Sequence, residues 1–539
     1  MDATLAPLDW LMIGGYGVVL LVSGWWFSRR QQNDAGDYFL AGRSMPMWAV
    51  AVSTAATAIS AATFIGLPGQ SYAGNLTYLA TNLGAIVAIL LVAFIFIPAY
   101  YRANVTTVYG LLERTLGPGA RTGASIAFLV GRVLASGSRV YIAAIPAAMI
   151  LFHAQPGAIS VQAELLSIGL LTGVGIAYTL IGGVRSVIWT DSIQTLIFVG
   201  AAVVALVLLL GMINLPIPAI WHALQNTPLQ GSESKATIFS TSLDPAKPYT
   251  LWASLIGMML LYIAAYGTDH DLTQRMLTCS TPTKGGRSAM IAILLQIPII
   301  ALFLALGSLL WILYQRPDLT GRVEEAGAVV SARDVFVTFI ATKTPAGMPG
   351  LILAGLYAAA LSTLNSGLNA MGATLYADVY KRACPRVPAR FDVLAGRIAV
   401  VIAGLAVGGF AALCVWWQRH DPGTTLIDLA LSVMTFAYAG LLAVFVSAIL
   451  TRRGNSASAI GALVTGFVVI AALQPAWIGV WTSPFPALAP TPDIADDWRL
   501  GELRLAFPWQ LTIGFVAAFA VCQAGTRPKA AARHPKGES

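Results

Sequence analysis

Residues 51–71 read AVSTAATAISAATFIGLPGQS. The run is apolar enough for lipid, yet it carries the hydroxyls of Ser53, Thr54, Thr57, Ser60, Thr63 and Ser71 and closes on Gly66, Pro68 and Gly69. In a bilayer the backbone must satisfy its own hydrogen bonds, so a helix that breaks at that depth marks a protein-lined cavity. A second such place is YIAAYGTDHD at 262–271, where Gly267 precedes Asp269 and Asp271. Small residues also serve close helix packing, and that reading stays open for a Ser/Thr/Gly run taken alone.

The rest of the chain gives those breaks a membrane to sit in. Hydrophobic residues make up 57% of the 539 and charged residues 10%, where a soluble domain carries about 25% charged. Mean hydropathy is +0.74. Disorder, collagen-like repeats and a disulfide scaffold are excluded. Cys279, Cys384, Cys414 and Cys522 lie far apart and form no zinc or redox spacing.

A transmembrane helix needs about 20 mainly apolar residues. Thirteen stretches qualify: 8–28, 47–72, 77–101, 122–152, 160–182, 187–213, 249–269, 287–315, 334–380, 395–417, 424–450, 457–479 and 507–524. The stretch 334–380 is too long for one span, so an amphipathic lead-in to about 345 is expected before a span from about 348. The first stretch has no basic residues before it and ends at Arg29-Arg30, so it reads as a retained span rather than a signal peptide. With the N-terminus outside, alternating loops put 21 of the 32 Lys and Arg on the cytoplasmic side, Arg275 among them, and nine outside. Arg132 and Arg139 fall inside a span. That asymmetry predicts an extracytoplasmic N-terminus, a cytoplasmic C-terminus and an inner (plasma) membrane location. The net charge of +8 is explained by the same loops and by the basic tail Arg527–Lys536, a topology and lipid-surface feature, with no nucleic acid partner.

The two breaks are five spans apart, and each opens a five-span block, 47–213 and 249–450. An odd block length inverts the second copy, the layout of an inverted-repeat transporter. Residues 1–46 then form a peripheral helix and cytoplasmic loop, 214–248 an extracytoplasmic loop, and 451–539 two peripheral helices with the tail.

Polar groups inside the spans are candidates for function. Ser362, Asn365, Ser366 and Asn369 share one helix face at i, i+3, i+4 and i+7. Hydroxyl and amide oxygens without fixed charge suit a hard monovalent cation, whereas divalent ions recruit carboxylates. Interhelical hydrogen bonding is the plainer alternative. Asp191, after Trp189-Thr190 at the cytoplasmic start of a span, reads as a functional acid, as a helix N-cap, or as both. Arg132 and Arg139 share a helix face, and either fits a solute carboxylate, an internal acid or a snorkelling role. Arg132 is the deeper. His153, His222 and His420 fall in loops and take no role, and His270 beside the second break takes none either. There is no Walker A sequence, catalytic constellation or metal-ligand spacing, so neither ATP-driven transport nor an enzyme is expected.

At these residues the chain resembles the sodium:solute symporter family, whose members have the LeuT-type fold. The likeness runs over about 8–455 and rests on DYFLAGR at 37–43, YTLIGGVRSVIWTDSIQ at 178–194, DLTQR at 271–275 and AALSTLNSGLN at 359–369. Within the family it looks most similar to bacterial sialic acid and sugar symporters, through TFIGLPG at 63–69, LTY at 76–78 and Gly131-Arg132. The resemblance implies an all-α membrane protein of about 13 transmembrane helices, a 5+5 inverted repeat with one N-terminal and two C-terminal peripheral helices. It implies sodium-coupled symport of a small organic solute such as a sugar, a sialic acid or another carboxylate, with Na+ as coupling ion and no other cofactor. The core sodium site would take carbonyls of Ala56, Ile59 and Ala359 with hydroxyls of Ser362 and Thr363. A possible additional site matches Asp191, Ser362, Asn365 and Ser366, with Asn365 where serine is expected. Solute-binding positions would be Ser60, Thr63, Tyr78, Asn82 and Arg132, with Tyr266 as an aromatic gate. Ala58 and Asn82 stand where the sialic-acid branch has Thr and Gln. Partners are solute, sodium and the bilayer, with no obligate protein partner. The rivals are proton coupling through Asp191 on the same fold and, further off, a membrane sensor on a transporter scaffold.

Overall fold

The computed structural model describes residues 6–28, 41–105, 107–152, 159–180, 184–229, 233–321, 331–384, 392–420, 425–474 and 505–527. Arg29-Arg30, most of the 37–43 motif, His153, residues 181–183 and the tail beyond Arg527 lie outside the described residues. Apolar helices account for nearly all of the rest, and among the described residues β-pairing is confined to two isolated bridges.

In chain order the elements used below are α1 (Pro7–Ser28), α2 (Met47–Ala58), α3 (Ala62–Ala73), α4 (Thr77–Ala103), α5 (Tyr109–Leu116), α6 (Pro118–Leu151), α7 (Val161–Thr179) and α8 (Val184–Ile213). After α9 (Ile217–Gln225) come α10 (Leu251–Gly267), α11 (His270–Leu277), α12 (Pro282–Gln315), α13 (Val335–Lys343) and α14 (Met348–Thr374). The last are α15 (Asp392–His420), α16 (Leu426–Leu450), α17 (Ser456–Ala472) and α18 (Phe507–Gln523). Among the described residues eight helices are long and apolar enough to span a bilayer, and up to ten if each of the bent pairs α2–α3 (60°) and α10–α11 (57°) counts as one span. Shorter apolar helices at Pro7–Ser23, Ser456–Ala472 and Phe507–Gln523 occupy the other three positions read from the sequence. The lead-in before the ninth span is α13, and the span starts at Met348.

Contacts divide the chain into two compact units that cut across the two sequence blocks. The first holds Met1–Leu79, Arg132–Phe239 and Asp271–Ala430. Its centre is aromatic: Phe64 lies 5.4, 5.1 and 5.4 Å, ring to ring, from Phe198, Phe303 and Phe336. Here α3 presses against α12 so closely that a Cβ on Gly307 would sit 2.0 Å from the Pro68 carbonyl oxygen. Ser71 Oγ crosses the same seam to the Leu304 carbonyl at 2.7 Å. The N-terminal helix is firmly docked. Asp9, buried, accepts from the backbone N–H of Gly347 and of Gly350, each at 2.9 Å, and so caps the start of α14.

The second unit holds Ala80–Gly131, Ser240–His270 and Leu431–Ser539. In it α4 packs on α10, and α17 on α18. A Cβ on Gly84 would fall 2.1 Å from the Ser254 carbonyl oxygen, so only glycine allows that approach.

Three readings from the sequence need correction. Asp191 is not an N-cap, because α8 begins at Val184 and Asp191 already lies within it. Arg275 is not a loop cation; it sits in α11, 2% exposed. Nor do two of the histidines read as loop residues lie in loops: His222 is in the short helix α9 and His420 is the last residue of α15.

Candidate functional site

The first break sets out a small set of neutral oxygens. Helix α2 ends at Ala58, and Ile59 is extended (φ −83°, ψ 127°). The Ser/Thr run accounts for how the break is tolerated. The Ala62 N–H donates to Ser60 Oγ (3.3 Å) and the Ser60 N–H to Thr63 Oγ1 (3.4 Å), so local hydroxyls take up backbone donors at the start of α3. From α14, Thr363 Oγ1 donates to the Ile59 carbonyl at 3.4 Å and lies 3.5 Å from that of Thr57. A small cavity opens beside this crossing, lined by Ala56, Ile59, Ala359, Ser362, Gln194 and Thr195 among others. The residues expected for a core sodium site are therefore brought together within one unit. Ser362 Oγ donates to Asp191 Oδ1 at 2.5 Å, which turns its lone pairs away from that carboxylate and leaves them for a cation. Among the described residues no cluster of three His, Cys, Asp or Glu could hold a metal.

Behind Ser362 runs a buried ladder of charge. Asp191 Oδ2 accepts from Ser53 Oγ (2.6 Å) and Arg275 Nη2 (3.1 Å). The other arm of Arg275 reaches Asp271 Oδ1 at 2.7 Å, one helical turn back. Asp271 also accepts from Ser366 Oγ (3.0 and 3.1 Å to its two oxygens) and forms an ion pair with Arg132. All four charged side chains are 3% exposed or less. Two carboxylates face two guanidiniums, and removing one partner of a pair this buried costs about 3–5 kcal/mol.

The four residues of the possible additional ion site do not share a partner. Asp191 and Ser362 bond each other, whereas Ser366 turns to Asp271 and Asn365 Oδ1 accepts from Thr179 Oγ1 at 3.3 Å. Of the expected solute positions, Ser60, Thr63, Tyr78 and Arg132 are buried in the first unit, and Asn82 and Tyr266 are buried in the second. Arg139 donates to the Ala135 carbonyl of its own helix at 3.4 Å. Sequence reasoning missed Ser53 and Arg275 as members of the site. The Asp271–Arg275 spacing of four was the available signal.

Within the second unit the freed backbone at the other break is held by tyrosines. The Tyr100 hydroxyl donates to the Gly267 carbonyl and that of Tyr109 to the Thr268 carbonyl (3.3 Å). Asp269 accepts from the Tyr438 hydroxyl at 2.7 Å, and the His270 ring lies among those of Tyr109 and Phe128.

Outside the spans, Lys235 is buried at the end of α3. Its ammonium donates to the carbonyls of Tyr72 (2.6 Å) and Gly74 (3.0 Å) and stands 4.8 Å over the Trp311 ring. Burial pulls its pKa down to about 8.

The chain is similar to known transporters. The sodium/sialic acid symporter SiaT of Proteus mirabilis (strain HI4320) is 26% identical over 482 residues, covering 87% of this chain and 89% of the relative. The human sodium/iodide cotransporter is 26% identical over 485 residues, covering 88% and 70%. Among solved structures, a substrate-bound, outward-open Na+-coupled sialic acid symporter superposes with a TM-score of 0.75 at 23% identity, over 96% of this chain and 97% of that one. The nucleobase-cation symporter Mhp1 in a closed conformation follows at 0.52 and 14%, over 90% and 93%. The fold is thus that of the LeuT-like transporters, and the chain is a membrane protein. A model of the sodium:solute symporter family matches residues 38–466, so the chain belongs to that family and its function is sodium-coupled solute symport.

Proposed function

We propose that the chain carries a small organic solute into the cell by alternating access, with one sodium ion at the carbonyls of Ala56, Ile59 and Ala359 and the hydroxyls of Ser362 and Thr363. The observation that carries this reading is the extended Ile59, whose carbonyl meets the Thr363 hydroxyl beside a small cavity lined by Ala56, Ile59, Ala359 and Ser362. Sodium there bridges α2 to α14 and orders the break. Ser60 and Thr63 continue directly from that break, so ion and solute favour each other's binding, and the coupling is reciprocal. Each sodium that enters contributes about 2.3 kcal/mol per 100 mV of membrane potential.

The solute is a sugar, a sialic acid or another polar organic molecule of that size. The sialic acid symporters among the relatives motivate that range. Both Asp191 oxygens are already hydrogen-bonded, Oδ2 by Arg275 and Ser53 and Oδ1 by Ser362, which favours a single sodium. The ion pair with Arg275 weighs against Asp191 as a proton carrier. The 21-to-9 division of Lys and Arg supports entry with the N-terminus outside and the C-terminus in the cytoplasm.

The test is uptake into proteoliposomes under imposed sodium, potassium or proton gradients. Only the sodium gradient is expected to drive accumulation, and Ser362→Ala is expected to raise the sodium concentration for half-maximal uptake at least tenfold. Uptake driven by protons, with Ser362→Ala behaving as wild type, would sink the assignment.

A further inference from the structure

We infer that Lys235 is a proton-sensitive strap on the outer half of the first broken span: a proton gained by its amine favours release of the loop from the end of α3, and a proton lost favours docking. The strap stands apart from the symport reading above, and its effect on sodium rests on that reading.

Helix α3 ends at Ala73, and the last carbonyls of a helix have no partner within it. Residues 233–237 lie across that end. Asn75 Nδ2 donates to Glu233 Oε2 at 3.0 Å, and the Leu76 N–H donates to the Thr237 carbonyl at 3.1 Å. Between these two ties the Lys235 amine reaches the carbonyls of Tyr72 (2.6 Å) and Gly74 (3.0 Å) and lies 3.5 Å from that of Ser71. On its other side stands the Trp311 ring of α12, 4.8 Å away. One side chain thus joins loop, α3 and α12, all within the first unit.

This seat offers oxygens and a ring but no anion. Lys235 is 4% exposed, and among the described residues it forms no ion pair. The charged and titratable groups on the elements around it have other partners. Glu233 accepts from Asn75, the Tyr72 hydroxyl accepts from Gln315 of α12 at 2.9 Å, and His222 of α9 lies beside Asn226. Arg316, 6.0 Å from the same Trp311 ring, pairs with Asp318 at 2.8 Å. Helix carbonyls and a ring face favour a cation, but burying an ammonium without a counter-ion costs more than they return. Burial wins here, as the fall of the amine's pKa from 10.5 to about 8 indicates. A neutral amine keeps two N–H groups, enough for the Tyr72 and Gly74 carbonyls, without that cost. Released into water the amine returns to its ordinary value, so by linkage a rise from pH 7 to 9 shifts the balance about tenfold toward the docked loop.

The strap acts on one end of α3, and the break lies at the other, where Ser60 and Thr63 take up the backbone donors. A docked loop restrains α3 before sodium arrives, so less ordering is left for the ion to impose and it binds more tightly.

The test uses the full-length protein in lipid nanodiscs. Ala73, exposed at the end of α3, is replaced by a spin-labelled cysteine (Ala73→Cys) in a Cys384→Ser background, the other three cysteines being buried. With Lys235 present, the mobile fraction of the label is expected to fall at least threefold from pH 7 to 9. Lys235→Met, which cannot take a proton, is expected to show no such change. Should that variant not fold, Lys235→Arg, charged at both pH values, is expected to be equally flat. The same pH response with and without Lys235, or a label that loosens as pH rises, would overturn the inference. Binding of radioactive sodium, with sodium alone as the probe, is then measured at the two pH values. Its half-saturation concentration is expected to fall at least threefold with Lys235 and to stay level in the variant. A label that responds while sodium binding does not would overturn the link to the ion. Absence of any saturable sodium binding would count against the symport reading instead, and the label alone would decide the strap.

Discussion

A guanidinium shared between Asp191 and Asp271 at 2% exposure cannot be exchanged for an ammonium without loss. Arg275 uses its fork: Nη1 reaches one carboxylate, Nη2 the other, and Nε donates to Ser53 Oγ at 2.9 Å. A lysine keeps the charge but is a point donor on a flexible stem. Arg275→Lys is therefore expected to lower the thermal unfolding midpoint in detergent by several degrees. Arg275→Met, which strands both acids, is expected to cost about 3–5 kcal/mol. A lysine variant as stable as wild type would show that the fork does not matter. At this scale the sequence was partly legible. Ser362 and Thr363 stood out because hydroxyls in an apolar span need a reason, and the cavity lies beside them. Arg275 did not stand out, because hydropathy consigns any charge just past an apolar run to a loop. Its burial depends on acids from two other positions in the chain, and no local pattern carries that information.

Helix breaks were legible as elements, since Gly and Pro beside a hydroxyl run are local signals. Both breaks fall in the stretches the sequence singled out, but the first opens at Ile59 within the hydroxyl run, while Gly66, Pro68 and Gly69 lie inside α3. What could not be read was what holds each element in place. The Asp9 cap on α14 joins positions more than 300 residues apart. Lys235 is a second such case, fixing the outer end of α3 from the loop between the blocks. Its pKa, about 8 in the folded protein against 10.5 when exposed, has a definite sign. Between those values the unfolded chain binds more protons than the folded one, so this residue's share of stability rises with pH across that window and is level below it. Lys235→Met is expected to flatten the rise. Unfolding midpoints measured at pH 7.5 and 9.5 should therefore differ more in wild type than in the variant. An equal change in both would mean that the ammonium's bonds to the Tyr72 and Gly74 carbonyls offset the effect of burial.

At the scale of the whole molecule, the orientation proposed from the charge division is measurable through one side chain. Hydropathy found the spans because lipid forces every one of them to be long and apolar. It says nothing about which end faces the cytoplasm, and the Lys/Arg division supplies that. Of the four cysteines, Cys279, Cys414 and Cys522 are buried and Cys384 is exposed. Cys384 directly follows the helix Met348–Ala383, on the side assigned to the cytoplasm. A membrane-impermeant maleimide should therefore leave intact cells unlabelled at this protein and label inside-out vesicles, and Cys384→Ser should abolish the signal. Labelling of intact cells would invert the orientation. Since thirteen spans put the two ends on opposite faces, it would also move the loop of Lys235 to the cytoplasm. The inward sodium gradient would still set the direction of net transport through the reversed molecule, so the thiol tests the topology and not the driving force.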